Sequence, residues 1–288
     1  MASASSYLEL TKPRITMFIL MSTAVGFLCA VNLAGHWSWW TLLHTLLGTG
    51  LLASGTAALN QWYERDADSR MNRTSGRPIP SGRIRPADAF RFGVALSVAG
   101  FIELWFGANL LTAMLGLFTE ASYLFLYTPM KQRSPHSTTV GAIPGAMPPL
   151  IGYAAVSGIL NWDAWALYAI LFLWQFPHFY AIAWMYRDDY ANAGIRMLPV
   201  VEPSNESTAR QIFGFSLVLL PVSLLPVYLN MAGNWYLLAA SALGLYFIGA
   251  AVRVNSERTV LRARKVLLAS VVYLPLLYGF LVLDGTRT

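Results

Sequence analysis

Residues 40–68 read WTLLHTLLGTGLLASGTAALNQWYERDAD. An apolar run of about 20 residues, long enough to cross a bilayer, passes directly into a segment dense in amide, acidic and basic side chains. No Gly or Pro interrupts the chain between Leu59 and Gly76, so the helix is expected to continue past the apolar run. Asn60, Glu64 and Asp68 then recur at i, i+4 and i+8 and share one helix face. Gln61 borders that face, and Asp66 points nearly the opposite way.

The apolar half of this pattern recurs along the chain. Nine candidate spans are expected, at 15–34, 40–59, 90–107, 109–127, 140–159, 165–186, 212–231, 235–252 and 266–283. Composition agrees: 12% of the 288 residues are charged and mean hydropathy is +0.49, where soluble domains carry about 25% charge. The expected class is an all-α integral membrane protein forming a single domain over 1–288. The first apolar run is too long for a signal peptide and lacks a small-residue cleavage pattern. The lone cysteine, Cys29, excludes an intramolecular disulfide.

With nine spans, every Lys and Arg except Arg287 among the 20 falls on one face. The positive-inside bias places that face in the cytoplasm, with the N-terminus inside and the C-terminus outside. Topology thus accounts for the net charge of +6, and no nucleic-acid partner is expected. The opposite connections, such as AGHWSWW and SGILNWD, carry almost no charge, so anion chemistry belongs on the basic face.

Two carboxylates and an amide on one helix face, all oxygen donors with open positions left, suit Mg²⁺, which keeps waters and shares substrate phosphates. Arg70, Arg73, Arg77, Arg83 and Arg85 follow, and guanidinium forks match phosphate oxygens. Together they read as a metal–diphosphate site; the plainer alternative is a solvated cytoplasmic loop.

Deeper in the bundle, Trp174, Gln175 and His178 stand at i, i+1 and i+4 of the sixth span, are expected to share one helix face, and are read as lining a substrate cavity, against a helix-to-helix hydrogen bond. Lys131 and Arg133 end the fourth span, where they serve either an anion clamp completing the diphosphate site or lipid anchoring. Glu120 is a buried site candidate or a neutral, hydrogen-bonded carboxyl; His44 and His36 are read as packing or interface residues, and Glu103 as interfacial. His136 sits in a basic loop. Pro144, Pro148 and Pro149 are expected to bend the fifth span.

Asn60-x-x-x-Glu64-x-x-x-Asp68 resembles the first aspartate-rich signature of the UbiA superfamily of intramembrane prenyltransferases. Met71-Asn72-Arg73-Thr74-x-x-Arg77-Pro78 is similar to its haem-farnesylating branch, as are Tyr127-Thr128, Lys131-Gln132-Arg133-Ser134, the stretch Gly145 to Tyr153, Trp174-Gln175-Phe176-Pro177-His178-Phe179, Asp189-Tyr190 and Met197-Leu198-Pro199. The resemblance covers about residues 8–283. It departs at Gln61 and Glu64, where Asp is usual, at Gln132, which interrupts a Lys-Arg pair, and at the second motif, reduced to Asp188 and Asp189.

The resemblance implies a nine-helix bundle around a central cavity in a bacterial inner (plasma) membrane. It implies Mg²⁺ on Asn60, Glu64 and Asp68, with Arg73 and Arg77 completing a catalytic set. Farnesyl diphosphate and haem b are the implied substrates, contacted by Gln61, Tyr127, Lys131, Arg133, Trp174, Gln175, His178 and Asp189. It implies a downstream partner too, a haem A synthase or terminal oxidase assembly partner. Trp62, Tyr127 and Trp174 are expected to shelter a developing cation, and Asp68 is expected at the water interface. The rival readings are an acceptor-shifted sister prenyltransferase, a polytopic transporter and a haem-binding membrane protein.

Overall fold

The computed structural model describes residues 3–34 and 38–285; His36 and Arg287 lie outside them. Among the described residues, nine helices are long and apolar enough to cross a membrane, and each overlaps an expected span.

A short helix, α1 (Ala4–Leu10), comes first. Its N-cap Ser3 accepts from the Ser6 backbone N–H at 3.3 Å. Leu10 is fully buried with Ala58, Ile79, Ile84 and Ala89, which seats α1 on the basic end of the bundle. Lys12 then adopts φ 48°, a left-handed turn that redirects the chain into Pro13, the first residue of α2 (Pro13–Ala34).

The crossing helices continue as α3 (Trp39–Asp68), α4 (Pro86–Gly107), α5 (Leu110–Met130), α6 (Ser137–Ser157), α7 (Trp162–Met185), α8 (Glu206–Tyr228), α9 (Asn234–Ser256) and α10 (Val260–Leu283). Hydropathy alone would stop α3 at Leu59; it runs 30 residues. At about 1.5 Å per residue, such a helix outruns a ~30 Å hydrocarbon core by several turns. Its polar last turns therefore stand at the headgroup level. Similarly, α4 starts earlier than its apolar run, because Arg85 is extended and Pro86 occupies the first helical position with Asp88 in the first turn.

Without water, helices in lipid associate by close packing. The α2–α6 seam shows how close: a Cβ on Gly152 would stand 1.8 Å from the Thr23 carbonyl oxygen. The largest buried apolar cluster joins α2 with α6, α7, α8, α9 and α10. Leu52, Leu104 and Ala113 form a smaller one between α3, α4 and α5. Cys29 is buried and free.

Two spans are irregular. Residues 122–127 of α5 form a π-helical turn, and α6 breaks between Gly145 and Pro148, where the proline pair withholds two backbone N–H groups. The π-turn borders the polar cluster described next through Tyr123 and Tyr127, and the break adjoins Gln175; non-helical backbone is tolerated at membrane depth where protein covers it.

Candidate active site

The last turns of α3 turn their oxygens inward. Asn60 and Gln61 are each 1% exposed and Asp68 is fully buried, while Asp66 on the opposite face is exposed. Each member of the ladder meets a cation from another segment. Lys12 Nζ donates to Asn60 Oδ1 at 3.1 Å, Lys131 Nζ to Glu64 Oε1 at 2.8 Å, and Arg77 Nη1 to Asp68 Oδ2 at 2.7 Å.

The placement of Asp68 is a correction. It was expected at the water interface, yet the loop after α3 folds back over it: Thr74 Oγ1 donates to the Asp68 carbonyl at 2.9 Å, and Arg77 closes the lid. Apolar Ala67 and Met71 pack with Ala183, Ala193, Ile195 and Met197, which is what draws the loop in. Hydropathy could not foresee this, since the covering segment is itself polar.

The fourth span delivers the second wall. The Lys131 ammonium lies over the Tyr127 ring at 4.5 Å and the Tyr123 ring at 5.8 Å. Room for Tyr127 comes from Gly141 on α6, where a Cβ would stand 2.5 Å from Tyr127 Cε2. Burial works against the Lys131 proton, but Glu64 and the two phenol oxygens outweigh it and hold the pKa well above the ordinary lysine value. Lys12 behaves oppositely: burial, then the nearby Arg77 charge, lower its pKa to about 7. Lys12 is not among the site residues expected from the sequence, where it counts only toward the basic face. The one signal available was a lysine just before a span-initiating proline.

Arg73 is held differently. Its guanidinium stands over the Tyr186 and Tyr190 rings at 4.8 and 5.3 Å and donates to Tyr190 Oη at 3.1 Å. The Arg196 backbone N–H donates to the Lys131 carbonyl at 2.8 Å. These contacts bring the short helix Arg187–Asn192, with Asp188 and Asp189, to the same end as the α3 ladder. Asp188 faces Arg187 at 3.4 Å. Arg133 and His136 are exposed.

The sixth-span trio divides between two neighbours instead of sharing one face. Gln175 turns to α6, donating to the Ala142 carbonyl at 3.1 Å beside the helix break. Trp174 and His178 stack on each other at 4.6 Å and turn to α10. There Trp174 Nε1 donates to the Ser270 carbonyl at 2.9 Å, and His178 Nδ1 meets Ser270 Oγ at 2.8 Å. Ser270 gives its single hydroxyl proton to the Leu267 carbonyl at 2.7 Å. His178 must therefore donate through Nδ1, leaving the Nε2 lone pair unengaged by that serine. One residue of offset on a helix rotates a side chain by about 100°, and that separates Gln175 from its neighbours.

Two other groupings are structural. Ser97 on α4 donates to Glu120 on α5, tying those helices. His44 Nδ1 and Glu103 Oε1 lie 2.5 Å apart and join α3 to α4, a pairing the separate readings of His44 and Glu103 did not anticipate. Of the three rings expected to shelter a cation, Trp62 packs on Phe90 and Trp174 on α10; Tyr127 is the one in contact with the cluster.

The donor set fits a hard divalent cation. Asp68 Oδ1 and Gln61 Oε1 are buried without a hydrogen-bond partner, and the face offers oxygen donors alone. Among the described residues no cluster of three or more His, Cys, Asp or Glu side chains is placed to hold a metal. Further oxygens would have to come from a bound phosphate and water, which is how Mg²⁺ is commonly held. Two carboxylates against Lys12, Arg77 and Lys131 leave positive charge in excess when all are ionised, the sign that complements an anion.

Residues 19–277 match the UbiA prenyltransferase family. The chain belongs to the UbiA prenyltransferase family. Among UbiA relatives, a protoheme IX farnesyltransferase of Solibacter usitatus is 61% identical over 285 residues, covering 96% of this chain and 98% of that one. One of the same name from Koribacter versatilis is 47% identical over 288 residues, covering 97% and 93%. The UbiA fold is likewise shared with a solved digeranylgeranylglyceryl phosphate synthase, with TM-score 0.82 at 18% identity over 99% of both chains. A UbiA homologue from Archaeoglobus fulgidus, solved bound to DMAPP and Mg²⁺, superposes with TM-score 0.69 at 19% identity, covering 96% of this chain and 98% of that one.

Proposed function

We propose that this chain transfers the farnesyl group of farnesyl diphosphate to a vinyl group of haem b, with addition of water, giving haem O and diphosphate. The observation that carries this reading is the inward ladder Asn60–Glu64–Asp68, each rung facing a cation. The full-length likeness to protoheme IX farnesyltransferases supplies the acceptor.

In this reading Asn60, Glu64 and Asp68 would hold Mg²⁺, and the unpartnered Gln61 Oε1 borders their face. Bound there, Mg²⁺ supplies Lewis-acid neutralisation of the departing diphosphate. Arg77 and Lys131 turn from the carboxylates, and Lys12 from the Asn60 amide oxygen, toward phosphate oxygens, and Arg73 receives the outer phosphate with Asp189 near it. The farnesyl C–O bond breaks with its electron pair leaving on diphosphate. The vinyl π electrons form the new C–C bond, and water adds to the other vinyl carbon and releases one proton.

The Tyr127 face already holds an ammonium at 4.5 Å, so it suits an electron-poor allylic carbon equally well. His178, Gln175 and Trp174 order the helices beside the acceptor, and Arg133, exposed just after the fourth span, would take the propionates. We place the basic face in the cytoplasm of a bacterial inner membrane, with the chain acting as one domain and passing its product to a haem A synthase or oxidase-assembly partner.

The test is direct. Pure protein with haem b, farnesyl diphosphate and Mg²⁺ is expected to yield a haem heavier by one farnesyl group and one water in mass spectrometry. Farnesylation of a quinone precursor in preference to haem would overturn the acceptor assignment.

A further inference from the structure

Between α9 and α10, at the basic end of the bundle, lies a cavity of about 490 Å³ that no step of the proposed transfer uses. Its floor is Gly249, where an added Cβ would meet nothing within 4 Å. The glycine is therefore not there to let two helices touch; it leaves a trough open between them. Leu245 and Leu268, 63% and 56% exposed, wall the trough toward the lipid.

Above this apolar floor stand Arg253, Arg262 and Lys265. Arg262 is committed to Glu257 through two hydrogen bonds of 2.8 Å. Among the described residues the side chains of Arg253 and Lys265 have no hydrogen-bond or ion-pair partner, and both are exposed. The neighbouring acid, Glu206, is taken by Arg210 and Arg258. A positive-inside bias explains cations in this loop; it does not explain a hollow beneath them, apolar at its base and cationic at its rim.

We propose that this trough binds an anionic diacyl phospholipid, its phosphate between Arg253 and Lys265 and an acyl chain over Gly249 between Leu245 and Leu268. Basic pockets between membrane helices select such headgroups by charge and hold the chain by burial. The lipid would fasten α9 to α10 from outside the catalytic cluster.

Native mass spectrometry of the delipidated full chain tests this, titrating phosphatidylglycerol, phosphatidylcholine with the same acyl chains, and inorganic phosphate. Phosphatidylglycerol is expected to bind at least tenfold more tightly than phosphatidylcholine. The double substitution Arg253→Gln, Lys265→Gln should erase that preference, about fivefold per cation removed. Gly249→Leu, which has room to fold, should weaken both lipids. Equal retention of the two lipids by the native chain, a preference that survives the double substitution, or displacement of phosphatidylglycerol by inorganic phosphate would each overturn the proposal.

Discussion

Asp68 and Arg77, nine residues apart, are joined by a 2.7 Å ion pair in which Asp68 keeps its second oxygen, Oδ1, buried and unpartnered. Arg77 satisfies one oxygen and leaves the other for a ligand. Stability and chemistry therefore meet in one carboxylate and can be separated by substitution.

Asp68→Ala strands the guanidinium beside a buried site. Breaking a buried pair costs about 3–5 kcal/mol, and the cost here falls at the low end or below because the Arg77 side chain is 26% exposed. Asp68→Ala with Arg77→Ala should regain much of the lost stability in chemical unfolding yet remain inactive. Recovery of prenyl transfer in the double variant would reduce the pair to a structural clasp.

Lys12→Met removes the amino group that donates to Asn60 while keeping length and apolar bulk. Losing one preorganised donor to a developing anion typically costs about 10²–10³ in rate, and a partial loss, roughly tenfold, is expected in kcat/KM for farnesyl diphosphate. Steady-state kinetics against both substrates checks this. A change confined to the haem KM would remove Lys12 from the diphosphate site.

Gly141→Ala should push the Tyr127 ring, since the new methyl would stand 2.5 Å from it. Overpacking costs about 1–3 kcal/mol, read as a lowered Tm, with slower turnover because the ring shifts from Lys131. Gly152→Ala meets backbone at 1.8 Å and should destabilise more, without a specific effect on either KM. Equal behaviour of the two variants would deny Tyr127 a particular role.

Ser270→Ala deletes the acceptor for His178 Nδ1 and a hydroxyl bonded to Leu267. Loss of about 1–3 kcal/mol is expected, measurable by denaturant unfolding. If His178 also acts at the acceptor, the same substitution should lower kcat through a misaligned imidazole; unchanged kcat would confine His178 to joining α7 to α10.

Much of this architecture could be read from residues alone, for identifiable reasons. Spans follow from apolar length, and the shared face of Asn60, Glu64 and Asp68 follows from the 3.6-residue period. What escaped were partners distant in sequence. Nothing local links Lys12 to Asn60 or Glu64 to Lys131, and the covering of Asp68 depends on a loop folding onto residues 183–197. The trio at 174–178 misled for the opposite reason: spacing gives a direction on one helix but not the neighbour standing there.

The most direct measurement replaces Mg²⁺ by Mn²⁺ and follows its electron paramagnetic resonance with an unreactive farnesyl thiodiphosphate bound. The account predicts a bound ion with coupling to ³¹P in the native chain, and loss of that ion in Glu64→Gln and Asp68→Asn. An ion bound as tightly, with the same ³¹P coupling, after both carboxylates are neutralised would contradict it.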